Sequence, residues 1–381
     1  MQTYIYLDQP DGGIGFVDPT RMICAWTPEE VDHCFAEMQA ETDRGNWLAG
    51  FASYELGYVL EPALQDILPK QRRSPLLCFG VFEAPNALAS RGLMHQARVE
   101  LAQARLTAPK PLWDEDRYLQ AFQKVHDYIG AGDIYQVNLT FPMEAEWSGT
   151  ALGLFGALRE AQSVNYGGVC NLGEGPAIVS RSPELFFQID EEGIIESRPM
   201  KGTVARGETQ AEDDRLKYFL SSDEKNRAEN LMIVDLLRND ISRIAEIGSV
   251  HVPELFTIET YETVHQMTSL VRAELQKGAN LETIFRALFP CGSITGAPKI
   301  RAMEIIEELE EEPREIYCGS MGWIAPTGEM RFNVAIRTLS LFDDGKARLN
   351  VGGGVVWDST SASEYEEALW KARYTKMRRQ D

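Results

Sequence analysis

The sequence predicts an α+β fold in which strands and helices are mixed without a strict βαβ alternation. Short strand-like segments joined by Gly, Pro and acidic turns lie between residues 164 and 203, whereas helical periodicity dominates from about residue 223 to 310. Strand patterns return after residue 318, and we find no repeat period. These observations favour a layered arrangement of sheets and helices over a doubly wound Rossmann sheet.

Two helices are the most clearly delimited elements. Asp114 is placed to cap a helix whose apolar residues recur at helical spacing up to Gly130 and Gly132. Asp223 is placed to cap a longer helix that we expect to end near Ile244. The other predicted elements are strands at 134–140, 168–170, 177–179, 185–189, 194–196, 318–325, 332–342 and 347–356, and helices at 298–310 and after residue 363.

The length allows one large domain or two smaller ones. A chain of 381 residues can bury a sizeable core. A proline-containing segment at 107–113 separates a strand-rich N-terminal part from the rest. We therefore expect an N-terminal region at 1–112 that packs on a core at 113–381.

The charge balance argues against polyanionic partners. The chain has 37 Lys and Arg against 58 Asp and Glu, a net charge of −21, which repels nucleic acids and anionic membrane surfaces. It shows neither a signal-peptide pattern nor an apolar run near the roughly 20 residues that span a bilayer. We expect a cytoplasmic protein without nucleic-acid or membrane partners. An anionic small molecule would need a local positive or metal-centred site.

The six cysteines are scattered along the chain without a C-x-x-C pair. This spacing indicates neither a zinc ribbon nor a dithiol redox site. We expect six buried, reduced thiols.

Lys201 is the first candidate catalytic residue, in the segment 197–203 between a proline-stiffened turn and a glycine. A lysine becomes a nucleophile only when its amine is neutral, which requires burial or nearby positive charge. Arg198 and Arg206 are candidates for that charge. A solvated turn lysine is the alternative, and for an isolated lysine it is the more common case.

Carboxylates on two predicted helices form a second constellation. Glu364 and Glu367 are three residues apart and project from one face of the last helix, and Glu229 lies on the long earlier helix. Such carboxylates suit a hard cation such as Mg²⁺, which keeps some waters and takes a substrate oxygen. Spacing alone fits an exposed helix face or a capping role equally well.

Three further segments fit a ligand-binding role. The loop at 290–299 leads into a helix with Pro298 in its first turn, where free N–H groups attract an anion, although a plain helix entry fits as well. The glycines at 352–354 allow backbone amides to approach a ligand, or they form a bulge. Arg337 on an apolar strand requires a carboxylate partner from the protein or from a ligand.

Together these segments resemble the chorismate-binding enzymes. The resemblance covers roughly residues 114 to 375 in order, and residues 53–58 are similar to the N-terminal region of the amine-transferring members. It implies a layered α/β/β/α sandwich, like anthranilate synthase component I, with two large, mainly antiparallel sheets face to face and helices outside. The motifs that carry the resemblance are Asp133–Leu139, Ser182–Glu184, Arg198–Thr203, Ala228–Asp240, Gly292–Lys299 and Gly352–Lys371.

Two positions distinguish the branches of this family. Lys201 stands where anthranilate synthases usually have alanine and aminodeoxychorismate synthases have lysine. Gln136 stands where the water-using isochorismate and salicylate synthases have a basic lysine, and glutamine cannot activate water. The chain is therefore most similar to aminodeoxychorismate synthase component I. Anthranilate synthase component I and a non-catalytic chorismate-binding homologue are the alternatives.

The resemblance implies a reaction of chorismate with ammonia that yields 4-amino-4-deoxychorismate for p-aminobenzoate and folate biosynthesis. Lys201 would attack ring carbon C2 while Glu184 protonates the departing C4 hydroxyl, and ammonia would then enter at C4 and expel the lysine. Glu184 precedes the apolar Leu185 and Phe186, so desolvation can raise its pKa. His265 matches a histidine linked in the family to the elimination of pyruvate.

The resemblance also implies Mg²⁺, held by Glu229 and Glu367 with Glu364 acting through water. Asn226 stands where the family is often acidic, which would weaken metal affinity slightly. The expected substrate-binding residues are Arg337, Tyr317, Gly319, Thr295, Gly352, Gly353, Gly354, Lys371 and Gln136. Because the chain has no G-x-C-x-G nucleophile elbow, the ammonia would come from a separate glutamine amidotransferase subunit in a heterodimer. A separate lyase would process the product.

Overall fold

Two large antiparallel sheets form the centre of the computed structural model, which describes residues 2–261 and 264–377. The strands are β1 (Tyr4–Leu7), β2 (Ile14–Val17), β3 (Arg21–Ala25), β4 (Trp47–Ala52), β5 (Leu77–Phe82), β6 (Arg105–Leu106), β7 (Lys110–Pro111), β8 (Gln136–Ser148), β9 (Gly168–Asn171), β10 (Ala177–Ser180), β11 (Leu185–Ile189), β12 (Ile194–Arg198), β13 (Met200–Ala205), β14 (His251–Thr260), β15 (Val264–Glu274), β16 (Gly296–Ala297), β17 (Ser320–Ile324), β18 (Met330–Asn333), β19 (Thr338–Leu341) and β20 (Lys346–Val355).

The α-helices are α1 (Pro28–Asp43), α2 (Leu56–Leu60), α3 (Ala87–Glu100), α4 (Glu115–Ala131), α5 (Ala151–Ala161), α6 (Gln210–Ser222), α7 (Glu224–Ser242), α8 (Leu281–Leu288), α9 (Lys299–Glu310) and α10 (Ser361–Lys371). Short 3-10 helices lie at Pro62–Ile67, Leu101–Gln103, Gly292–Ile294 and Ala372–Thr375.

Each sheet combines strands that are distant in sequence. Sheet 1 has the order β16-β8-β20-β19-β10-β9-β1-β2, and β6 and β7 also pair with β8. Sheet 2 has the order β13-β15-β12-β11-β18-β17-β4-β5-β3, and β14 also pairs with β15. Neighbouring strands such as β8 and β20 run antiparallel.

The two sheets pack face to face and carry helices on their outer faces. Ile5 and Phe16 of sheet 1 share one buried apolar cluster with Phe51 and Met321 of sheet 2. Helices α3, α4, α5, α9 and α10 contact sheet 1, whereas α1, α6 and α7 contact sheet 2. This arrangement confirms the predicted α+β sandwich with its α/β/β/α layers.

Strands from the N-terminal region extend both sheets. β1 pairs with β9 in sheet 1, and β4 pairs with β17 in sheet 2. Neither sheet is therefore interrupted at residue 112, and the predicted regions 1–112 and 113–381 share one sandwich. The division stays a prediction about sequence regions, and residues 1, 262–263 and 378–381 lie outside the described part of the chain.

The predicted helix caps are confirmed. The side chain of Asp114 accepts a hydrogen bond from the backbone N–H of Arg117 at 2.8 Å, and α4 ends at Ala131 with Gly132 as its C-cap at a φ of 82°. Asp223 accepts one from the N–H of Asn226 at 2.9 Å, and α7 ends at Ser242, slightly before the expected end. Among the helices of the described ranges, none is long and apolar enough to cross a membrane.

The prediction of a single strand at 332–342 is wrong. β18 belongs to sheet 2 and β19 to sheet 1, so the chain crosses between the sheets at residues 334–337. Arg337 lies in this crossover with a φ of 50° rather than on a strand. Val334 and Ala335 are fully buried inside the sandwich, which explains why the apolar pattern continues through the crossover without a visible break.

The expectation of six reduced thiols is wrong for one pair. Cys24 on β3 lies directly opposite Cys78 on β5, and the two residues form a disulfide with their Cα atoms 4.1 Å apart. The partners are 54 residues apart in sequence, so only the pairing of the strands brings them together. The other four cysteines are free and buried.

Candidate active site

The predicted site residues come from both sheets and from helices on both outer faces. Lys201 lies on β13 at the edge of sheet 2, while Gln136 and the glycines at 352–354 lie on the neighbouring strands β8 and β20 of sheet 1. Helix α7 contributes Glu229 from the side of sheet 2. Helix α10 contributes Glu364, Glu367 and Lys371 from the side of sheet 1.

Lys201 has the electrostatic environment that a nucleophilic lysine needs. Burial lowers the pKa of Lys201; the nearby charges of Glu184 and Glu229 act against this shift, whereas the ammonium of Lys371 adds to it. A lowered pKa increases the fraction of neutral amine, which is the form that can attack an electrophile. Lys201 is also partly buried on a strand, and its Nζ donates a hydrogen bond to the carbonyl of Ser293, so it is not a freely solvated turn lysine.

The two arginines expected to supply positive charge to Lys201 are used elsewhere. Arg198 forms ion pairs with two glutamates of β14 at 3.0 and 2.9 Å. Arg206 pairs with Asp213 at 2.7 Å. Their charges are offset by these carboxylates, and the cation that lowers the pKa of Lys201 is Lys371.

Glu184 has a buried carboxyl group, and Ser293 forms hydrogen bonds with both Glu184 and Lys201. The hydroxyl of Ser293 donates a hydrogen bond to Oε1 of Glu184 at 2.9 Å, and the backbone carbonyl of Ser293 accepts one from Nζ of Lys201 at 3.2 Å. Burial raises the pKa of Glu184 to about 7, while Lys201 and Ser293 act in the opposite direction. The structure thus places a carboxyl group that is about half protonated at neutral pH beside the candidate nucleophile.

The three glutamates predicted to bind metal form an interacting group. Burial raises the pKa of Glu229 and that of Glu364, and the charge of Glu367 adds to both shifts. Nζ of Lys371 lies 2.9 Å from Oε1 of Glu367 and donates a hydrogen bond to the carbonyl of Gly352 at 2.8 Å. Although burial acts against it, Lys371 holds the pKa of Glu367 below its ordinary value.

The donor set of this group fits a hard cation. Within residues 2–261 and 264–377, no three carboxylate, thiol or imidazole side chains converge into a ready-made metal cage. Mg²⁺ usually takes one or two protein carboxylates and completes its shell with waters and substrate, so the arrangement suits it. A Cβ at Gly353 would lie 3.2 Å from Oε2 of Glu364, 3.2 Å from Nζ of Lys371 and 3.9 Å from Oε1 of Glu367. The glycine thus leaves space beside the carboxylates.

Asn226, where an acidic residue was expected from the resemblance, has a structural role. Its side-chain amide donates to Asp223 at 2.8 Å, at the start of α7. A Cβ at Gly202 would lie 2.7 Å from Oδ1 of Asn226, so the asparagine also packs against the strand that carries Lys201. The predicted weaker metal affinity stays a prediction.

Arg337 and Tyr317 are the two side chains predicted to bind a substrate carboxylate. Burial lowers the pKa of Arg337, against the effects of Tyr374 and Glu184. Across the described residues, no carboxylate lies within ion-pair distance of its guanidinium. Arg337 is partly buried, and a partly buried guanidinium without a counter-ion is costly, so a carboxylate of a ligand is a partner that fits. Burial raises the pKa of Tyr317, which keeps its hydroxyl protonated and able to donate.

Gln136 lies on β8, which borders the glycine strand β20, and Thr295 lies in the loop on the other side of β8. The carbonyl of Thr295 accepts a hydrogen bond from the N–H of Asn138 at 2.8 Å, and its hydroxyl donates to the carbonyl of Gly292 at 3.3 Å. Gln136 is buried on β8, and a Cβ at Gly354 would lie 2.5 Å from its Nε2. The glutamine that distinguishes the chain from water-using relatives therefore adjoins the glycines.

For two glycines that were predicted to contact the substrate, packing within the protein explains why the residue is glycine. The N–H of Gly319 donates to the carbonyl of Ile316 at 2.9 Å, so this amide is not available to a ligand here. A Cβ at Gly319 would collide with the carbonyl oxygen of Ala52, and a Cβ at Gly352 would collide with that of Leu139. The expected substrate contact of the Gly319 amide is not supported by this geometry.

A comparison with protein families is decisive for the class of this chain. Residues 2–376 match the family model described as chorismate binding enzyme. The chain belongs to the chorismate-binding enzyme family. The resemblance inferred from separate motifs therefore extends over almost the whole sequence.

The curated relatives of this chorismate-binding enzyme carry names that are more specific than the family description. It is 44% identical over 256 residues to a Klebsiella aerogenes protein named aminodeoxychorismate synthase component 1. This match covers 67% of the chain and 56% of that relative. The chain thus matches little more than half the length of the curated relative.

Solved structures confirm the fold of the chorismate-binding enzyme. The structure of anthranilate synthase component I from Streptococcus pneumoniae has a TM-score of 0.76 and 26% identity, and the match covers 99% of this chain and 91% of that one. A putative 2,3-dihydroxybenzoate-specific isochorismate synthase from Bacillus anthracis has a TM-score of 0.75 and 20% identity, with 98% and 95% covered. At 20% identity the second likeness shows the fold alone.

His265 is oriented away from the other predicted catalytic residues of this chorismate-binding enzyme. Its Nε2 lies 2.9 Å from Oδ1 of Asp213 and its Nδ1 lies 3.0 Å from Oγ1 of Thr260, so both ring nitrogens are engaged. Successive side chains of a strand point to opposite faces. The next residue, Gln266, accordingly bonds to the two residues that follow Lys201. A catalytic role for His265 stays a prediction that this geometry does not favour.

Proposed function

We propose that the chain acts as an aminodeoxychorismate synthase component I, which converts chorismate and ammonia to 4-amino-4-deoxychorismate. The observation that carries the proposal is the contact of Ser293 with both Lys201 and Glu184. One of these groups is an amine with a lowered pKa, and the other is a carboxyl group with a pKa of about 7. A non-catalytic homologue that only binds chorismate has no need of both. The names of curated relatives support the same activity.

In the proposed reaction, the neutral amine of Lys201 forms a bond to C2 of the ring. The double bonds shift, and the C4 hydroxyl leaves as water with the proton of Glu184. Ammonia then forms a bond to C4, and the lysine nitrogen leaves C2 with the electron pair of that bond. The new C4 ammonium returns a proton to Glu184, so one ammonia is consumed and one water is released.

We include Mg²⁺ as the proposed cofactor. Glu229 and Glu367 would hold it, with Glu364 acting through water, and the ring carboxylate of chorismate would complete its shell. When bound, the ion would offset negative charge on that carboxylate. The carboxylate donor set and the open space beside Gly353 support this assignment.

The charged side chains around the glutamates suit a dicarboxylate substrate. Arg337, which lacks a carboxylate partner in the described part of the chain, and Tyr317 would bind a substrate carboxylate. Lys371 would bind the enolpyruvyl carboxylate. In a protein with a net charge of −21, such local cations are needed to hold an anionic substrate.

Anthranilate synthase component I is the second candidate, because a structure with that name matches almost the whole chain. The identity of residue 201 weighs against it. The resemblance places alanine at this position in anthranilate synthases, and alanine cannot form the covalent intermediate proposed for Lys201.

We propose that a separate glutamine amidotransferase subunit supplies the ammonia. The name component 1 carried by curated relatives implies a second component for those proteins. The product would enter p-aminobenzoate and folate biosynthesis after a separate lyase removes its enolpyruvyl group. The cytoplasm stays the predicted location.

Product analysis tests the function. The purified chain is incubated with chorismate, Mg²⁺ and an ammonium salt, and the products are separated and identified by mass spectrometry. We expect 4-amino-4-deoxychorismate, which retains the enolpyruvyl group. A fluorescent aminobenzoate formed without added lyase would establish the anthranilate synthase alternative, and the absence of any turnover would refute both.

The covalent route is tested without ammonia. After incubation with chorismate and Mg²⁺, the intact mass of the protein should show an adduct that Lys201→Ala cannot form. Lys217→Ala is the matched control, because Lys217 is an exposed lysine on α6. An unmodified wild-type chain that nevertheless turns over would contradict a covalent intermediate.

A further inference from the structure

We infer that Ser293 is a positioning residue that directs the acidic proton of Glu184 and the amine of Lys201 toward the substrate. The inference rests on the proposed function and assigns a role to Ser293, which lies within the motif Gly292–Lys299 but was not among the predicted site residues. Ser293 is buried on the short 3-10 helix at Gly292–Ile294. Its hydroxyl and its carbonyl bind the two reacting groups separately.

The hydroxyl of Ser293 determines which oxygen of Glu184 is free to carry a proton. It donates to Oε1 at 2.9 Å, so Oε1 already accepts a hydrogen from the protein. The backbone of Met200 also hydrogen-bonds to this carboxyl group. In the proposal, the proton that Glu184 transfers is held on Oε2, the oxygen to which Ser293 does not donate. A general acid acts only when its proton lies within hydrogen-bond reach of the leaving group, and a rotated carboxyl group would present the wrong oxygen.

Cys291 is the other side chain that contacts the hydroxyl of Ser293. Its Sγ lies 3.3 Å from Oγ of Ser293. Burial raises the pKa of Cys291 to about 12, with Glu184 adding to the shift. A protonated thiol can donate to the serine oxygen, and this direction is compatible with the hydrogen bond that the Ser293 hydroxyl donates to Glu184.

The carbonyl of Ser293 orients the nucleophile. It accepts a hydrogen bond from Nζ of Lys201 at 3.2 Å. A neutral amine has a single lone pair, so an N–H that points at the carbonyl turns the lone pair away from it. Arg314 donates to the carbonyl of Ile294 at 3.0 Å, and Asn138 donates to that of Thr295 at 2.8 Å. These bonds hold the segment that carries Ser293.

The decisive variant is Ser293→Ala, because it removes the hydroxyl and keeps the carbonyl. The charged and titratable groups that face Glu184 are Lys201, Arg337 and Cys291, and this variant leaves all three in place. The rate of adduct formation on Lys201 is measured in single turnovers with chorismate and Mg²⁺ between pH 6 and 9. We expect a decrease of about 10- to 100-fold, which is less than or equal to the roughly 100-fold lower limit of what a general acid typically contributes, because the variant displaces the acid and does not remove it.

The same series gives a readout that a purely structural role would not change. The Ser293 hydrogen bond stabilises the ionised form of Glu184, so its loss should move the alkaline decline of the rate to higher pH. Ser293→Thr keeps the hydroxyl and should recover part of the rate. Ser53→Ala is the matched control, because Ser53 is also buried and donates a single hydrogen bond, to the carbonyl of Pro75.

The outcomes separate this inference from the proposed function. If wild type forms the product and Ser293→Ala has the wild-type rate and pH profile, the inference is wrong and the function stands. If wild type forms neither adduct nor product, the proposed function is wrong and the inference falls with it. Should the alanine variant fail to fold, Ser293→Cys provides a weaker donor of similar size. We expect it to give an intermediate rate, and a wild-type rate would overturn the inference.

Discussion

Lys371 places its ammonium nitrogen 2.9 Å from Oε1 of Glu367, inside the group of glutamates proposed to hold Mg²⁺. The same nitrogen donates to the carbonyl of Gly352 at 2.8 Å. A metal ion bound to Glu367 and this ammonium would compete for one carboxylate. We therefore expect Mg²⁺ to displace Lys371 from Glu367, which would leave the lysine free to bind the enolpyruvyl carboxylate.

Replacement of Lys371 by methionine should tighten the binding of Mg²⁺ in the absence of chorismate. The change removes both a competing cation and its repulsion of the metal. A partly exposed ion pair contributes about 0.5–1 kcal/mol, so the dissociation constant should decrease by about 2- to 5-fold. Isothermal titration calorimetry with MgCl₂ measures the constant directly. Lys371→Arg retains the charge and should show no tightening, and weaker binding to the methionine variant would contradict the competition.

Gly353→Ala should weaken metal and substrate binding without loss of the fold. The new Cβ would lie 3.2 Å from Oε2 of Glu364 and from Nζ of Lys371, so two functional side chains must move. Gly352→Ala is the informative contrast, because its Cβ would collide with the backbone of β8 and should lower the melting temperature instead. Calorimetry and thermal unfolding of both variants test this difference. Equal melting temperatures for the two variants would contradict the proposal that the space beside Gly353 serves ligand binding and not packing.

Several features of the site could be predicted because local sequence determines them. The three-residue spacing of Glu364 and Glu367 places both carboxylates on one face of α10, as expected for a helix. Glu184 directly precedes a buried apolar strand, so its raised pKa follows from desolvation. The caps at Asp114 and Asp223 depend on adjacent residues only, and both are confirmed.

Other features depend on contacts between distant segments, so the local sequence carries no signal for them. Ser293 meets Lys201 and Glu184 from 92 and 109 residues away. The direction of a serine hydroxyl cannot be inferred from a glycine-rich motif. Arg337 sits where the chain changes sheets, and an apolar run has the same pattern within a strand and within a buried crossover. The side to which His265 points depends on the register of β15 with its neighbours.

His265→Ala should have a large effect on the stability of the fold and only a small effect on the rate of the chemical step. The ring is buried and bonds to Asp213 and Thr260 rather than to Lys201 or Glu184. Loss of these buried hydrogen bonds should cost about 1–3 kcal/mol in the free energy of unfolding. Urea denaturation measures this loss, and single-turnover adduct formation should stay within about threefold of wild type. A changed ratio of pyruvate to retained enolpyruvyl product would instead restore the catalytic role inferred from the resemblance.

Glu55→Gln should stabilise the protein at pH 8. Burial raises the pKa of Glu55 from 4.5 to about 8, with the charge of Glu315 adding to the shift. The unfolded chain releases this proton near pH 4.5 and the folded chain holds it until about pH 8, so stability is lost progressively as the pH rises between these values. Glutamine removes the titration, and its side-chain carbonyl can still accept from the N–H of Arg314, which bonds to Oε1 at 2.7 Å.

The expected gain at pH 8 is about 2–4 kcal/mol in the free energy of unfolding, and it should shrink toward zero near pH 5. Glu310→Gln provides the contrast, since Glu310 is also buried but pairs with Arg314 at 2.7 Å. Breaking a buried ion pair costs about 3–5 kcal/mol, so this variant should be destabilised at both pH values. Urea denaturation at pH 5 and pH 8 measures both variants. In the described structure, the Oε2 atoms of Glu55 and Glu315 are buried and lack a hydrogen-bond partner. If Glu55→Gln were less stable than wild type at pH 8, the prediction would be wrong, and the result would mean that a cation binds this pair of carboxylates and compensates their charge.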